Sequence, residues 1–458
     1  MTLPSSYKTT SEYFKDSLEF LKTYQWLYNC SNTDILVRNT FENFPSEWLD
    51  YFQNLTDEDL NKLSLKYVEV DCPTSLKQFL EKVERLQPNI TVAQENDGYA
   101  FPHNSGLTEK KAHEILAMAP IVHELCKTNG LDFIIDVGSG LGYLSHHLNE
   151  RYHYRVLGLE CSKDHIALAY KNQEKFHPQS KGEVMFIEHL INEDSAEVIS
   201  RIAEQFIGSK KSCCIIGLHA CADLSITILD LFEKLDFASC LAIMPCCYHR
   251  IKLRGEDGDK EYFRNFPLSE VLIDLFEEYE AHTFLKRPFL RLACQQSKGS
   301  FVAMTEEEHN RHARNFMFRA ILQEVAAQEN CRVTRLKRKS SKSRHPDPDE
   351  DFAAYLTDLE HSHRLERDGP EKDHPHVNDE RFRRKMLEKW QEQKGNCRLV
   401  EVLTGMQASI QGVCENVVLL DRVEHLRRKG FRCRVEKVTN DLVSPRCHAL
   451  IASKGDEP

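Results

Sequence analysis

The residues whose types and spacing promise chemistry begin with Asp136-Val137-Gly138-Ser139-Gly140-Leu141-Gly142. Glycines at alternate positions let a backbone turn sharply and approach a ligand with no Cβ in the way. A dinucleotide fingerprint spaces its glycines as G-x-G-x-x-G. Here the third glycine is Gly142, and Tyr143 fills the slot that a pyrophosphate wants open. The Gly-Lys-Ser/Thr of a phosphate-binding P-loop is also missing nearby. The pattern therefore points to a compact nucleoside joined to an amino acid, namely S-adenosylmethionine. Asp136 can take its amino group directly or through water, because carboxylates pair with ammonium groups. Glu160 closes the next apolar run, Val156-Leu157-Gly158-Leu159-Glu160. A carboxylate so placed can accept both ribose hydroxyls. The expected cofactor set is Asp136, Gly138, Ser139, Gly140, Gly142, Tyr143, Glu160 and Leu218.

Two further strings carry reactive side chains: Leu218-His219-Ala220-Cys221-Ala222-Asp223-Leu224 and Met244-Pro245-Cys246-Cys247-Tyr248-His249. Methyl transfer needs an aligned acceptor and a group to remove its proton. His219, Asp223 or His249 can serve as that base, and Tyr248 can stack on a substrate ring. Other readings stand beside this one. Cys221, Cys246, Cys247, His219 and His249 form a possible thiolate and imidazole metal set, although two clean Cys-x-x-Cys pairs are lacking. Cys246 can act as a nucleophile on a pyrimidine ring. The cysteines can equally be small hydrophobes of the core. The expected catalytic set is His219, Cys221, Asp223, Cys246, Tyr248 and His249, with no metal assigned.

Such residues need a sheet to present them. Short apolar runs at 133–137, 155–160, 184–188, 213–218 and 240–244 alternate with helix-compatible stretches such as 164–174 and 195–206. That βαβ repetition predicts a mostly parallel sheet with helices on both faces, whose strand ends form the ligand edge. Thr108 is placed to cap a helix carrying Ile115, Ala119 and Val122. Residues 415–428 read as an amphipathic helix stopped by Gly430, followed by short strands at 434–438 and 448–452. This is the ending of a seven-stranded, Rossmann-like class I methyltransferase sheet. About 150 residues, from about 250 to 400, then stand as an insertion after the fifth strand.

The chain divides, on this reading, into four parts. Residues 1–105 form a helical N-terminal domain with nine Lys and Arg against sixteen Asp and Glu. Residues 106–300 are the core, 301–397 a charged and partly disordered insertion, and 398–458 the completion of the core. Within the insertion, residues 332–344 carry seven Lys or Arg and no acid, fitting a nuclear-import signal, an RNA contact or a solvated loop.

A formal net charge of −11 argues against a protein that coats nucleic acid generally, but a local basic face would suffice for RNA. No run of eighteen apolar residues occurs, and the first residues lack the basic-then-apolar order of a secretory signal. The sixteen cysteines are dispersed, and several sit in apolar runs. A reducing compartment, cytoplasmic or nuclear, is expected.

The strings Leu107-Thr108-Glu109-Lys110-Lys111-Ala112-His113-Glu114, 136–144, 218–224, 245–249 and 443–452 together resemble the methyltransferase-like protein 25 family. Its members also carry the label "ribosomal RNA adenine dimethylase domain-containing". The resemblance covers about 106–300 and 398–453 and implies a class I methyltransferase fold with S-adenosylmethionine as cofactor. The His-x-Cys-x-Asp-Leu and Cys-Cys-x-His strings are also similar to those of a eukaryotic enzyme that 2′-O-methylates tRNA acceptor stems. Adenine dimethylases carry Asn-Leu/Ile-Pro-Tyr/Phe after the fourth strand, where this chain reads Leu218-His219-Ala220-Cys221. RNA is accordingly the expected acceptor. A protein acceptor, favoured by the acidic N-terminal module, and a cofactor-binding scaffold that recruits a protein partner through that module are the alternatives.

Overall fold

The computed structural model describes residues 1–63, 72–92, 107–208, 211–294, 301–336, 347–367, 377–440 and 442–455. Its strands in chain order are β1 (Thr91–Val92), β2 (Phe133–Val137), β3 (Arg155–Glu160), β4 (Val184–Glu188), β5 (Cys213–Cys221), β6 (Ala238–Cys246), β7 (Leu253–Asp257), β8 (Lys260–Phe263), β9 (Cys331–Arg335), β10 (His363–Arg367), β11 (Arg432–Lys437) and β12 (His448–Ser453). The main sheet runs β1-β11-β12-β6-β5-β2-β3-β4.

The centre of the sheet is parallel because each strand returns through a helix. Glu109–Thr128 precedes β2, and Tyr143–Tyr152, Lys163–Phe176, Ser195–Ile207 and Asp223–Lys234 make the crossovers. Parallel strands covered on both faces read as near-continuous apolar runs, and all five residues of β2 are buried, Asp136 among them. Caps set the helix starts: the side chains of Thr108 and Ser162 accept from the backbone N–H groups of Lys111 and His165. Gly430 lies at φ 83°, as expected of a glycine that ends the long helix Cys397–Arg428. The chain then forms the antiparallel β11–β12 pair, and β12 also lies antiparallel to β6.

The expected seven strands are present, and an eighth joins them. Within the stretch read as wholly helical, Thr91–Val92 pairs parallel with β11. Two residues give no periodicity to read, so only the neighbouring strand reveals it.

The chain separates into two compact units. The first comprises Met1–Glu19, Arg85–Ser297 and Gly412–Pro458 and contains the main sheet. The second comprises Phe20–Glu84 and Lys298–Gln411, a grouping that crosses the sequence divisions at 105 and 300. In this second unit the stretch read as a partly disordered insertion is substantially folded among the described residues. It holds helices Glu306–Gln328, Pro348–Ser362 and Glu380–Gln393 and the antiparallel β9–β10 pair. Apolar residues dispersed among the charges meet in three dimensions: Phe318, Phe352 and Trp390 pack ring against ring. Most of the basic run at 332–344 lies outside the described residues. Among the described residues, no helix is long and apolar enough to cross a membrane.

Candidate active site

The carboxyl ends of β6, β5, β2 and β3 stand side by side, and the residues singled out in the sequence occupy that edge. Gly138, Gly140 and Gly142 have φ of 74°, 57° and 77°, the left-handed region that side chains with a Cβ rarely enter. A Cβ added to Gly142 would come 2.4 Å from the Phe186 ring, so this glycine allows the loop to lie against β4. At Gly138 and Gly140 an added Cβ meets nothing closer than 3.8 Å. A Cβ at either would make only ordinary van der Waals contact, with Leu224 at Gly138 and with the Gly138 carbonyl at Gly140. The Ser139 hydroxyl between them is buried and has no hydrogen-bond partner among the described residues, a condition that buried polar groups normally avoid.

Glu160 ends β3 facing this loop. One carboxylate oxygen accepts from the Gly140 N–H at 3.0 Å and the other from the Ser162 N–H at 3.0 Å. The oxygen bonded to Ser162 also lies 3.5 Å from the Cys161 sulfur and the His165 ring, whereas the oxygen bonded to Gly140 has a further acceptor direction for a ribose hydroxyl. An open cradle, an unpartnered hydroxyl and an anchored carboxylate together fit S-adenosylmethionine. Asp136 sits deeper. It is buried and accepts from the Ser145 hydroxyl at 2.6 Å, and burial raises its pKa to about 6, with the nearby Glu160 charge acting in the same direction. This geometry ties the glycine loop to the helix that follows it. Tyr143 begins that helix and is half-buried, as is Leu218 near the end of β5.

The neighbouring tip carries His219. Its Nε2 lies 3.3 Å from an oxygen of the buried Glu114, in helix Glu109–Thr128. The second oxygen of Glu114 accepts from the Ser444 hydroxyl at 2.7 Å and lies 3.8 Å from the Arg446 guanidinium. Burial pushes the Glu114 carboxyl up, but the His219 ring, Ser444 and Arg446 outweigh it and hold it below the usual range. The other ring nitrogen of His219, Nδ1, is buried and has no hydrogen-bond partner among the described residues. A carboxylate on one imidazole nitrogen selects the tautomer whose free nitrogen can accept a proton.

The thiols gather beside this pair. Cys221 ends β5, Cys246 ends β6, and their sulfurs are 3.0 Å apart; Cys247 completes a cluster whose sulfurs all lie within 4.8 Å of one another. Hydrogen bonds from Cys221 and Cys246, helped by the Arg446 guanidinium, hold the Cys247 thiol well below its usual pKa. The same network pushes Cys246 up.

Known proteins resemble parts of this chain. Residues 110–254 match a family described as a methyltransferase domain. Over those residues the chain is similar to that methyltransferase family. The probable methyltransferase-like protein 25 of Homo sapiens is 28% identical over 169 residues, 34% of this chain and 27% of that protein. Its Mus musculus counterpart is 34% identical over 84 residues, 17% of this chain and 14% of that protein. The chain thus spans about a quarter or less of the length of these relatives. Among solved structures, M. capricolum TrmK with S-adenosyl-homocysteine is 18% identical with a TM-score of 0.20, covering 32% of this chain and 64% of that one.

Within that matched stretch, several side chains expected to be catalytic are engaged elsewhere. Tyr248 is buried at 1% exposure, with the Arg422 guanidinium 4.8 Å from its ring centre, so it is not open for stacking on a substrate. Its hydroxyl lies 3.4 Å from both the Pro245 carbonyl and Glu415. Asp223 is not a free base: its oxygens accept from the Lys252 N–H and the Asn265 side chain. They fasten the segment after β6 to the helix Asp223–Lys234. His249 turns its Nδ1 to the Cys294 sulfur at 3.3 Å, and burial lowers its pKa. His219 has a buried ring nitrogen, Nδ1, with no hydrogen-bond partner among the described residues, on the strand that pairs with β2. The sequence did not reveal that Ser444 and Arg446 would support Glu114; the only signal was the string 443–446 within the family resemblance. A second group, Glu415, Cys447 and His448, lies behind the tips. Although burial opposes it, Cys447 and Glu415 raise the His448 pKa well above the usual value.

Proposed function

We propose that this protein methylates RNA, with the glycine loop and Glu160 holding S-adenosylmethionine and His219 receiving the acceptor's proton. The cofactor supplies an electrophilic methyl group on a sulfonium sulfur. Gly138 and Gly140 give it backbone access, and Glu160 offers an acceptor to a ribose hydroxyl. Glu114, with an oxygen 3.3 Å from Nε2, stabilises by its charge the imidazolium formed when Nδ1 takes a proton. The observation that carries the reading is this Glu114–His219 pair, on the strand next to the open glycine cradle.

Local charge supports RNA. Arg250, Lys252 and Arg254 are exposed just beyond the β6 tip, and Lys110, Lys111 and Arg446 lie on the helix start and loop around Glu114. Cations flanking a site position a phosphate backbone despite an acidic whole. The test incubates the full chain with S-adenosylmethionine labelled in its methyl group, with total RNA and total protein as separate acceptors. Label should enter the RNA pool and fall when salt is raised. Label only in protein would refute the RNA reading, and label in neither, with the cofactor bound, would favour a scaffold.

A further inference from the structure

We propose that Cys221, Cys246 and Cys247 together bind one zinc ion at the joined tips of β5 and β6. This site is distinct from the cofactor cradle, and its occupancy can be measured without any methyl acceptor.

Three observations converge on it. The first is the donor set: three thiols from two strand ends, all sulfurs within 4.8 Å. Zinc holds cysteine sulfur at about 2.3 Å, so sulfurs at tetrahedral corners stand about 3.8 Å apart. The cluster brackets that spacing, and the Cys221–Cys246 pair at 3.0 Å need only part slightly.

The second is the backbone. Cys247 has φ 54°, and Ala222, directly after Cys221, has φ 51°. Left-handed conformations in residues with a Cβ cost of order 1–3 kcal/mol and persist where the surroundings demand them. Both strained residues adjoin the thiols, one on each tip, and the Ala222 N–H donates to the Cys246 carbonyl at 2.8 Å. The strain turns two strand ends so that their sulfurs meet.

The third is charge. Three thiolates around a divalent zinc leave one net negative charge, and Arg446 stands against Cys247. Soft thiolate sulfur selects zinc over magnesium or calcium. Any thiol protons still present leave to solvent on binding, and the fourth position remains open to water. The Glu415, Cys447 and His448 group is a poorer candidate, because His448 is already paired with Glu415.

The test uses the full chain, purified under reducing conditions with zinc available and then desalted. Elemental analysis should find about one zinc per chain, and cadmium exchange should produce thiolate-to-metal charge-transfer absorption. Cys221→Ser should weaken zinc binding by at least about tenfold, while S-adenosyl-homocysteine binding by calorimetry reports that the variant is folded. Cys447→Ser should retain the metal. In the parent, zinc should protect Cys221 and Cys247 from alkylation until a chelator removes it. Reduced parent that holds neither zinc nor cadmium would overturn the proposal. So would zinc that survives Cys221→Ser and is lost in Cys447→Ser, which would place it at the second group.

Discussion

Two halves of one sheet edge are built by different means. At β2 and β3 the ligand surface is mostly backbone: three glycines with positive φ, an anchored carboxylate and an open cradle. At β5 and β6 it is mostly side chain: three thiols, a histidine and an arginine brought from distant parts of the sequence. The first half is specified within some 25 residues. The second needs Glu114, His219 and Ser444, of which Glu114 and Ser444 are 330 positions apart. A site made of backbone is encoded locally, whereas one made of side chains depends on the whole topology.

This contrast can be broken most sharply at His219. His219→Asn should reduce turnover by roughly 10²–10⁴-fold, the range for loss of a general base, with cofactor affinity unchanged by calorimetry. Equal losses in binding and turnover would place His219 in the cofactor half instead. Glycine replacements separate shape from access. Gly142→Val forces a side chain into Phe186 and should lower stability by about 3 kcal/mol, read as a fall in denaturation midpoint. Gly140→Val meets no such wall, so its main expected effect is loss of cofactor binding, with a smaller cost from its left-handed backbone. Similar stability losses in both would show that the cradle is packing rather than access.

The pH dependence of stability tests Asp136. Its folded pKa of about 6 lies above the ordinary 3.8, so the folded state binds that proton more tightly than the unfolded one. Its stabilising contribution is complete below the ordinary value and is lost as pH rises through about 6. Asp136→Asn should therefore gain about 3 kcal/mol on the parent between pH 4 and pH 7, measured by denaturant melts at each pH. A flat difference would mean that Asp136 ionises freely. The smallest effect is expected at Tyr248. Its hydroxyl contacts are long, so Tyr248→Phe should cost less than about 1 kcal/mol and leave turnover nearly intact. A large loss of turnover would return Tyr248 to the chemistry.

What was legible in the sequence follows the same division. The parallel core, the closing hairpin and the glycine loop rest on local periodicity and on residues whose backbone freedom has a fixed meaning, and they appear as read. Thr91–Val92 was hidden because two residues carry no pattern. The folded part of 301–397 was hidden because its apolar residues are diluted by charge, and Trp390 declares its role only when Phe318 and Phe352 meet it. At the tips, the residue types were legible but their partners were not. Asp223 and Tyr248 were plausible reactive groups until Lys252, Asn265 and Arg422 were seen to occupy them.

The antiparallel insertion of β12 beside β6 has a consequence for how the protein is made. Until residues 448–453 leave the ribosome, β6 is an unprotected sheet margin with free amide and carbonyl groups, a template for unwanted pairing. A nascent chain arrested before Arg432 should therefore recruit holding chaperones or aggregate, and release of the final hairpin should end that dependence. The exposure of β6 during synthesis is thus set by how far along the chain β12 follows it.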